Sequence, residues 1–195
     1  MHAPDREFDP DDNFEITRTH SRDHADQVEH DEEAGVDALA WQLLLLVNPG
    51  DEDTALRQFE VWREASAGAD DEAPVQRLGE AIDWVSGFRV DAADPATFID
   101  AVTELAARWN LDIDWGVEDR FDDEFLAGAE VPALMAVAYD RLREYGYTLW
   151  TWRAPGGADD HASHAGWITL SRDDDALRAL APLLGIELRP GSDAF

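Results

Sequence analysis

Residues 147–152 read YTLWTW and residues 167–170 read WITL, with Pro155-Gly156-Gly157 in the connection between them. Both runs consist of aromatic and β-branched side chains, which suit a pleated, half-buried surface, and turn-formers separate them. They predict a long antiparallel β-hairpin. Side chains alternate along a strand, so Trp150 and Trp152 share one face while Tyr147, Leu149 and Thr151 take the other. Trp167, on the opposing strand, joins one of these faces. A helical layer is expected to cover one side of so small a sheet, leaving the other to solvent, a partner or a second copy of the chain. Trp150, Trp152 and Trp167 are then either core or an aromatic interaction surface.

Working upstream, Val36 to Val47 (VDALAWQLLLLV) is apolar nearly all round, as befits a helix at the centre of a core, and Asn48-Pro49-Gly50 stops it. Asp51 to Ala65 restarts as a helix with acids in its first turn and a Leu56, Phe59, Trp62 stripe. A third helix is expected around Ala73 to Ser86, with Leu78, Ile82 and Val85 inward and Gly87 as its C-cap. Phe88 to Val90 suits a short strand. Asp94-Pro95 marks a helix start, and Phe98, Val102, Leu105 and Trp109 continue its buried stripe. Leu111 to Trp115 (LDIDW) alternates as a strand does, and Phe121 to Gly128 fits either helix or loop. Val131 to Tyr145 is a helix with Gly146 past its end, Asp173 to Leu184 another ending at Gly185, and Ile186 to Leu188 an edge strand. No repeat of fixed period occurs. The order predicts an α+β fold: a mainly helical N-terminal two-thirds packed on a small antiparallel sheet built around the C-terminal hairpin.

Residues 1–33 carry 12 acids and three arginines but only seven apolar residues, so an acidic, partly disordered leader is expected before a single domain over 34–195. The whole chain of 195 residues has 15 basic and 44 acidic side chains, a net charge of −29. All of the basic residues are arginine, and cysteine is absent. These facts exclude P-loop and Schiff-base lysines, disulfides, thiolate nucleophiles and cysteine-ligated zinc. The charge disfavours nucleic acid and anionic membranes as partners. The longest apolar stretch falls short of the roughly 20 residues a membrane span needs, and no signal or transit pattern opens the chain, so a cytoplasmic setting is expected.

No catalytic residue or cofactor stands out. His20 and His24 have helical metal-ligand spacing, but the residues between them break the zinc-protease pattern. Asp159, Asp160, His161 and His164 lie within six residues of the hairpin loop and are the candidates for a metal or catalytic site, against an exposed polar tip. A calcium loop starting at Asp112 fails, because Val117 and Asp123 occupy the places needing Gly and Glu. Asp122, Asp123 and Glu124 form either a solvated turn or a surface for a basic partner. None of the six serines lies in a nucleophile-elbow context, and no glycine-rich phosphate cradle follows a strand.

The helix ending LLLLVNPG (Leu43 to Gly50) and the tail YGYTLWTW…GWITL…LLGIEL (Tyr145 to Leu188) resemble the bacterial family grouped as domain of unknown function 6630. The resemblance covers roughly 34–195 and implies an α+β, bacterial, cytoplasmic protein, with no activity or catalytic residues to carry over. Three readings of the function remain. The first is a protein-interaction module, monomer or homodimer, binding a basic partner as an immunity protein or inhibitor does, with steering by the negative field. The second is an enzyme or metal-binding protein using the hairpin-loop Asp/His cluster. In the third, the acidity reflects a high-salt or GC-rich host.

Overall fold

A computed structural model describes residues 35–67, 74–153 and 163–195, and the leader, residues 1–33, lies outside the described residues. Residues 38–195 form one compact unit. Helix α1 runs over residues 35–47. There follow α2 (Glu52–Ser66), α3 (Pro74–Ala81), β1 (Gly87–Asp91), α4 (Pro95–Ala107), α5 (Asp123–Gly128) and α6 (Val131–Glu144). The C-terminal part holds β2 (Tyr147–Arg153), β3 (Ser163–Leu170), α7 (Asp174–Leu180) and β4 (Glu187–Pro190). The fold is α+β, with seven helices among the described residues and a four-stranded antiparallel sheet ordered β1-β3-β2-β4.

The hairpin sets the registers. Trp150 pairs with Trp167 and Thr151 with Gly166 across β2 and β3, while Phe88 of β1 also faces Gly166. Alternation therefore puts Trp150, Trp152, Trp167, Ala165 and Arg89 on one face, and Leu149, Ile168, Phe88, Val90 and His164 on the other. The second face packs on α4 and α6 through a core that includes Phe98, Ile99, Val102, Leu105, Met135 and Leu142. Helices reach the first face as well. Arg178 of α7 lies over the Trp150 ring at 5.1 Å, and Gly79 of α3 abuts Trp152. α2 packs on α3, and α1 joins α2 through Trp41 and Phe59, with ring centroids 5.4 Å apart.

This arrangement corrects the expectation that helices leave one sheet face uncovered. Trp150 and Trp167 are 1% and 0% exposed, and the Trp150 indole N–H donates to Thr169 Oγ1 at 3.0 Å. They are core, not a free surface. Trp152 is only half-buried and stacks on Trp167 at 5.3 Å.

Other local expectations shift for identifiable reasons. α3 stops at Ala81, five residues before the expected end at Ser86, so Val85 is exposed and Gly87 opens a strand instead of capping a helix. In α2 the buried side chains are Thr54, Ala55, Gln58 and Trp62, while Leu56 is 49% exposed. Polar partners waiting inside turn that helix by one position, as described below. Residues 111–115 form no strand: Ile113 and Trp115 are buried as the alternation implies, but among the described residues no strand pairs with them. Within α1, Ala40, Leu43, Leu44 and Val47 are buried and Leu45 and Leu46 half-buried, so the helix has a face. Residues 123–128, readable either way, are helical because Asp122 caps them, accepting from the Glu124 and Phe125 amides at 3.0 Å each.

Two predictions follow from backbone and cap geometry. A Cβ at Gly166 would lie 2.3 Å from the Trp150 carbonyl oxygen and 2.5 Å from the Phe88 ring, whereas one at Gly128 meets nothing within 4 Å. Gly166→Ala is expected to lower stability by about 3 kcal/mol or more, and Gly128→Ala to leave it within about 1 kcal/mol, both read by urea unfolding. Asp94 caps α4: its carboxylate accepts from the Thr97 hydroxyl at 2.6 Å and the Thr97 amide at 3.0 Å, which hold its pKa below the ordinary 3.8. Because the folded state binds that proton less readily, the cap's contribution is complete above the ordinary value and is lost as pH falls through the lowered one. Asp94→Asn, which keeps a capping oxygen but no titration, is expected to show a shallower loss of stability as pH falls below the ordinary carboxylate value.

Candidate functional site

Three buried polar side chains from separate elements close a ring. The Asn48 amide, at the end of α1, donates to Gln58 Oε1 at 2.8 Å. The Gln58 amide, on α2, donates to Ser86 Oγ at 2.8 Å. The Ser86 hydroxyl closes the ring by donating to Asn48 Oδ1. Burial of three such groups is costly unless each finds partners, and here each is both donor and acceptor. Surplus capacity is used too. Asn48 also donates to the Leu44 carbonyl at 2.9 Å, and Arg108 Nη2 donates to Asn48 Oδ1 at 3.1 Å. Burial lowers the Arg108 pKa, opposed by the Asp51 and Asp83 carboxylates, and the guanidinium remains a cation.

The ring fixes the turn between α3 and β1. Gln58 makes a second donation, to Asp83 Oδ1 at 3.0 Å, and the same oxygen accepts from the Val85 amide at 3.1 Å. The Asp83 carbonyl accepts from the Ser86 and Gly87 amides at 3.0 and 2.9 Å. A turn tied at Asp83 and Ser86 presents what lies between them: Trp84 is 59% exposed and Val85 is exposed beside it. An indole is seldom left in water on a rigid element, since its burial is among the largest apolar gains a side chain offers.

Trp84 borders a groove of about 400 Å³ whose walls include Glu80, Asp83, Arg89 and Trp152. The sheet explains why the groove is there. Arg89, Ala165 and Trp152 form one cross-strand row on the tryptophan face. The neighbouring row, Gly87, Trp167 and Trp150, is buried, whereas Arg89 is exposed and Ala165 and Trp152 half-buried. Helix α3 ends over this boundary. At Gly79 a Cβ would stand 3.0 Å from both the Trp152 ring and the Arg89 guanidinium, so a side-chain-free position lets both lie against the helix. The site thus combines an indole edge, a half-covered indole face, two carboxylates and one guanidinium.

The sequence-selected residues fall as follows. Trp152 lines the groove, while Trp150 lies beneath Arg178 of α7 and Trp167 is buried against Trp152. Asp122 is committed to capping α5, with Asp123 and Glu124 exposed in its first turn, an element apart from the groove. His164 is buried on the Leu149 face and pairs in register with Val90. Asp159, Asp160 and His161 lie outside the described residues, as do His20 and His24. Among the described residues no group of three metal-ligating side chains comes together. Trp84, Asp83, Arg89 and Gln58 were not singled out by pattern. No local signal marked Trp84, because Ile82 and Val85 on either side of it continue the apolar spacing of α3.

The class defined by this fold is an α+β domain with an antiparallel sheet held between helices and no helix, among the described residues, long and apolar enough to cross a membrane. Its family is shown by the model for Domain of unknown function (DUF6630), which matches residues 39–191: the chain belongs to that family. Comparison with curated proteins and with solved structures finds no match.

Gln58 is 2% exposed and holds three side-chain hydrogen bonds, while Leu56, two residues away, packs on little. Gln58→Ala is expected to cost about 3 kcal/mol in chemical denaturation, because it removes three buried bonds and leaves Asn48, Ser86 and Asp83 each short of one partner, whereas Leu56→Ala stays within about 0.5 kcal/mol.

Proposed function

We propose that this domain is a protein-interaction module of the immunity- or inhibitor-like kind, which binds a basic partner protein at the groove beside Trp84. The observation that carries the reading is the exposed Trp84, held on a turn tied by buried hydrogen bonds and flanked by Glu80 and Asp83. Tryptophan is the side chain most enriched at energetic centres of interfaces, and neighbouring carboxylates select a cation over its ring. The net charge of −29 supplies long-range attraction for such a partner and repels nucleic acid and anionic lipid. A bacterial, cytoplasmic setting and a monomeric or homodimeric state belong to the same proposal. Of the hairpin-loop cluster weighed for a metal or catalytic role, only His164 is described, and it is buried in the sheet.

Poly-L-lysine titrated into the full chain tests the reading by calorimetry, with poly-L-glutamate as control. Binding is expected at about 0.1 M salt, weakening by roughly tenfold or more at about 1 M, with none to the polyanion. Trp84→Ala is expected to weaken binding several-fold at an unchanged melting temperature, since this indole is solvent-exposed. A chain that ignores the polycation, or a variant that binds as the wild type does, overturns the proposal.

A further inference from the structure

The groove crosses the sheet from Trp152 of β2 past Gly166 of β3 and ends on β1, which is an edge strand. Strand β1 has β3 on one side only, and among the described residues no other strand pairs with it. Its backbone direction can be read from one bond: the Gly87 amide donates to the Asp83 carbonyl at 2.9 Å, so Gly87 does not spend its N–H on β3. In an antiparallel pair, residues alternate between exchanging both bonds with the partner and turning both groups away. Phe88 and Val90 therefore bond to β3, opposite Gly166 and His164, while Gly87, Arg89 and Asp91 turn their backbone groups outward. The close approach of the Gly166 carbonyl oxygen, 2.9 Å from where a Gly87 Cβ would be, agrees with Gly166 directing that oxygen at β1.

Of these outward groups, the Gly87 N–H is taken by Asp83 and the Asp91 C=O by the Asp94 amide at 3.0 Å. The Gly87 C=O, both groups of Arg89 and the Asp91 N–H remain, with no described partner outside the ladder. That is the donor and acceptor set of a short strand edge, bounded by a turn at each end. Of the same three residues, Arg89 lines the groove and Asp91 shares its face of the sheet, while Gly87 has no side chain and leaves its place open. Glu80, Asp83 and Trp84 stand at the Gly87 end, Arg89 in the middle and Asp91 at the far end.

We infer that β1 takes an extended segment of a basic partner by strand addition, the segment carrying a cationic side chain at each end and a small or acidic one between. This rests on the proposed basic partner and adds where and how it is held. Three residues of the incoming strand share the sheet face that carries the groove. The first places its cation beside Trp84, Glu80 and Asp83, the second meets the Arg89 guanidinium, and the third lies against Asp91. A uniformly basic segment would set a cation against Arg89, so the charge order is a specificity device. Backbone bonds supply the affinity and alternate side chains the selection, as in other strand-addition complexes.

The test uses the capped peptide Lys-Arg-Thr-Glu-Thr-Arg-Lys against the full chain, with calorimetry for affinity and amide chemical shifts for location. Three further peptides are compared: one N-methylated at the glutamate, one with the glutamate replaced by lysine, and one with the order of residues scrambled. The expected result is saturable binding that shifts the Arg89 amide, with a loss of about tenfold or more on N-methylation and several-fold for the lysine and scrambled peptides. Equal binding of the parent and N-methylated peptides overturns strand addition. If the parent peptide fails while poly-L-lysine still binds, the strand proposal falls and the basic-partner reading stands. If neither binds, both fall.

Discussion

The hydrogen-bond ring of Asn48, Gln58 and Ser86 is the constraint from which the rest of the described structure takes its arrangement. Helices α1 and α2 and the turn before β1 each contribute one member, and α4 reaches it through Arg108. An apolar cluster of the same volume would tolerate sliding, because hydrophobic burial has no preferred direction. A closed ring of donors and acceptors tolerates very little: a shift of an ångström leaves a buried polar group unpaired. The register of α2 is set this way. Gln58 points in and Leu56 out, against the order their hydrophobicities would choose.

Around that anchor the sheet acts as a middle layer. One face closes over α4 and α6, and the other receives α3 and α7, with α2 packed on α3. The two most buried tryptophans of the hairpin are consumed in this packing, which needs Gly166 so that β2, β3 and the Phe88 ring can approach. Coverage of the tryptophan face ends at α3, whose short length and single glycine leave the Arg89, Ala165 and Trp152 row partly bare. The groove is therefore a consequence of helix length over a sheet, and Trp84 is set at its border by the turn that the ring ties.

Much of the fold was legible because its signals are local. The Asp94-Pro95 start of α4, the Asn48-Pro49-Gly50 stop of α1 and the left-handed Gly146 and Gly185 after their helices each act through a few neighbouring atoms. The hairpin was legible from β-branched and aromatic composition, and the alternation within Leu111 to Trp115 predicted which side chains are buried but not that a ladder partner is missing. What could not be read is non-local. Gln58 and Ser86 are 28 residues apart, and neither looks interior by composition. Ile82 and Val85 continued the α3 stripe on paper, and only Asp83's bonds to Gln58 and to the turn amides break the helix there. Trp150 and Trp152 shared a face as alternation required, yet their different exposure depends on where α3 ends, which no spacing within the strand encodes.

The functional reading depends on rigidity at Trp84: an indole on a mobile loop would pay ordering entropy on binding, and one on a tied turn does not. Amide hydrogen exchange at residues 86 and 87 is the most direct test, because both amides bond to the Asp83 carbonyl inside the turn that the ring holds. In the wild type they are expected to exchange as slowly as the Trp167 and Ile168 amides of β3, through global unfolding alone. In Ser86→Ala, which opens the ring, they should lose that protection by about tenfold or more while the β3 amides keep theirs relative to global stability. Fast exchange in the wild type, or an equal change at both places in the variant, would contradict the claim that the buried ring holds the turn.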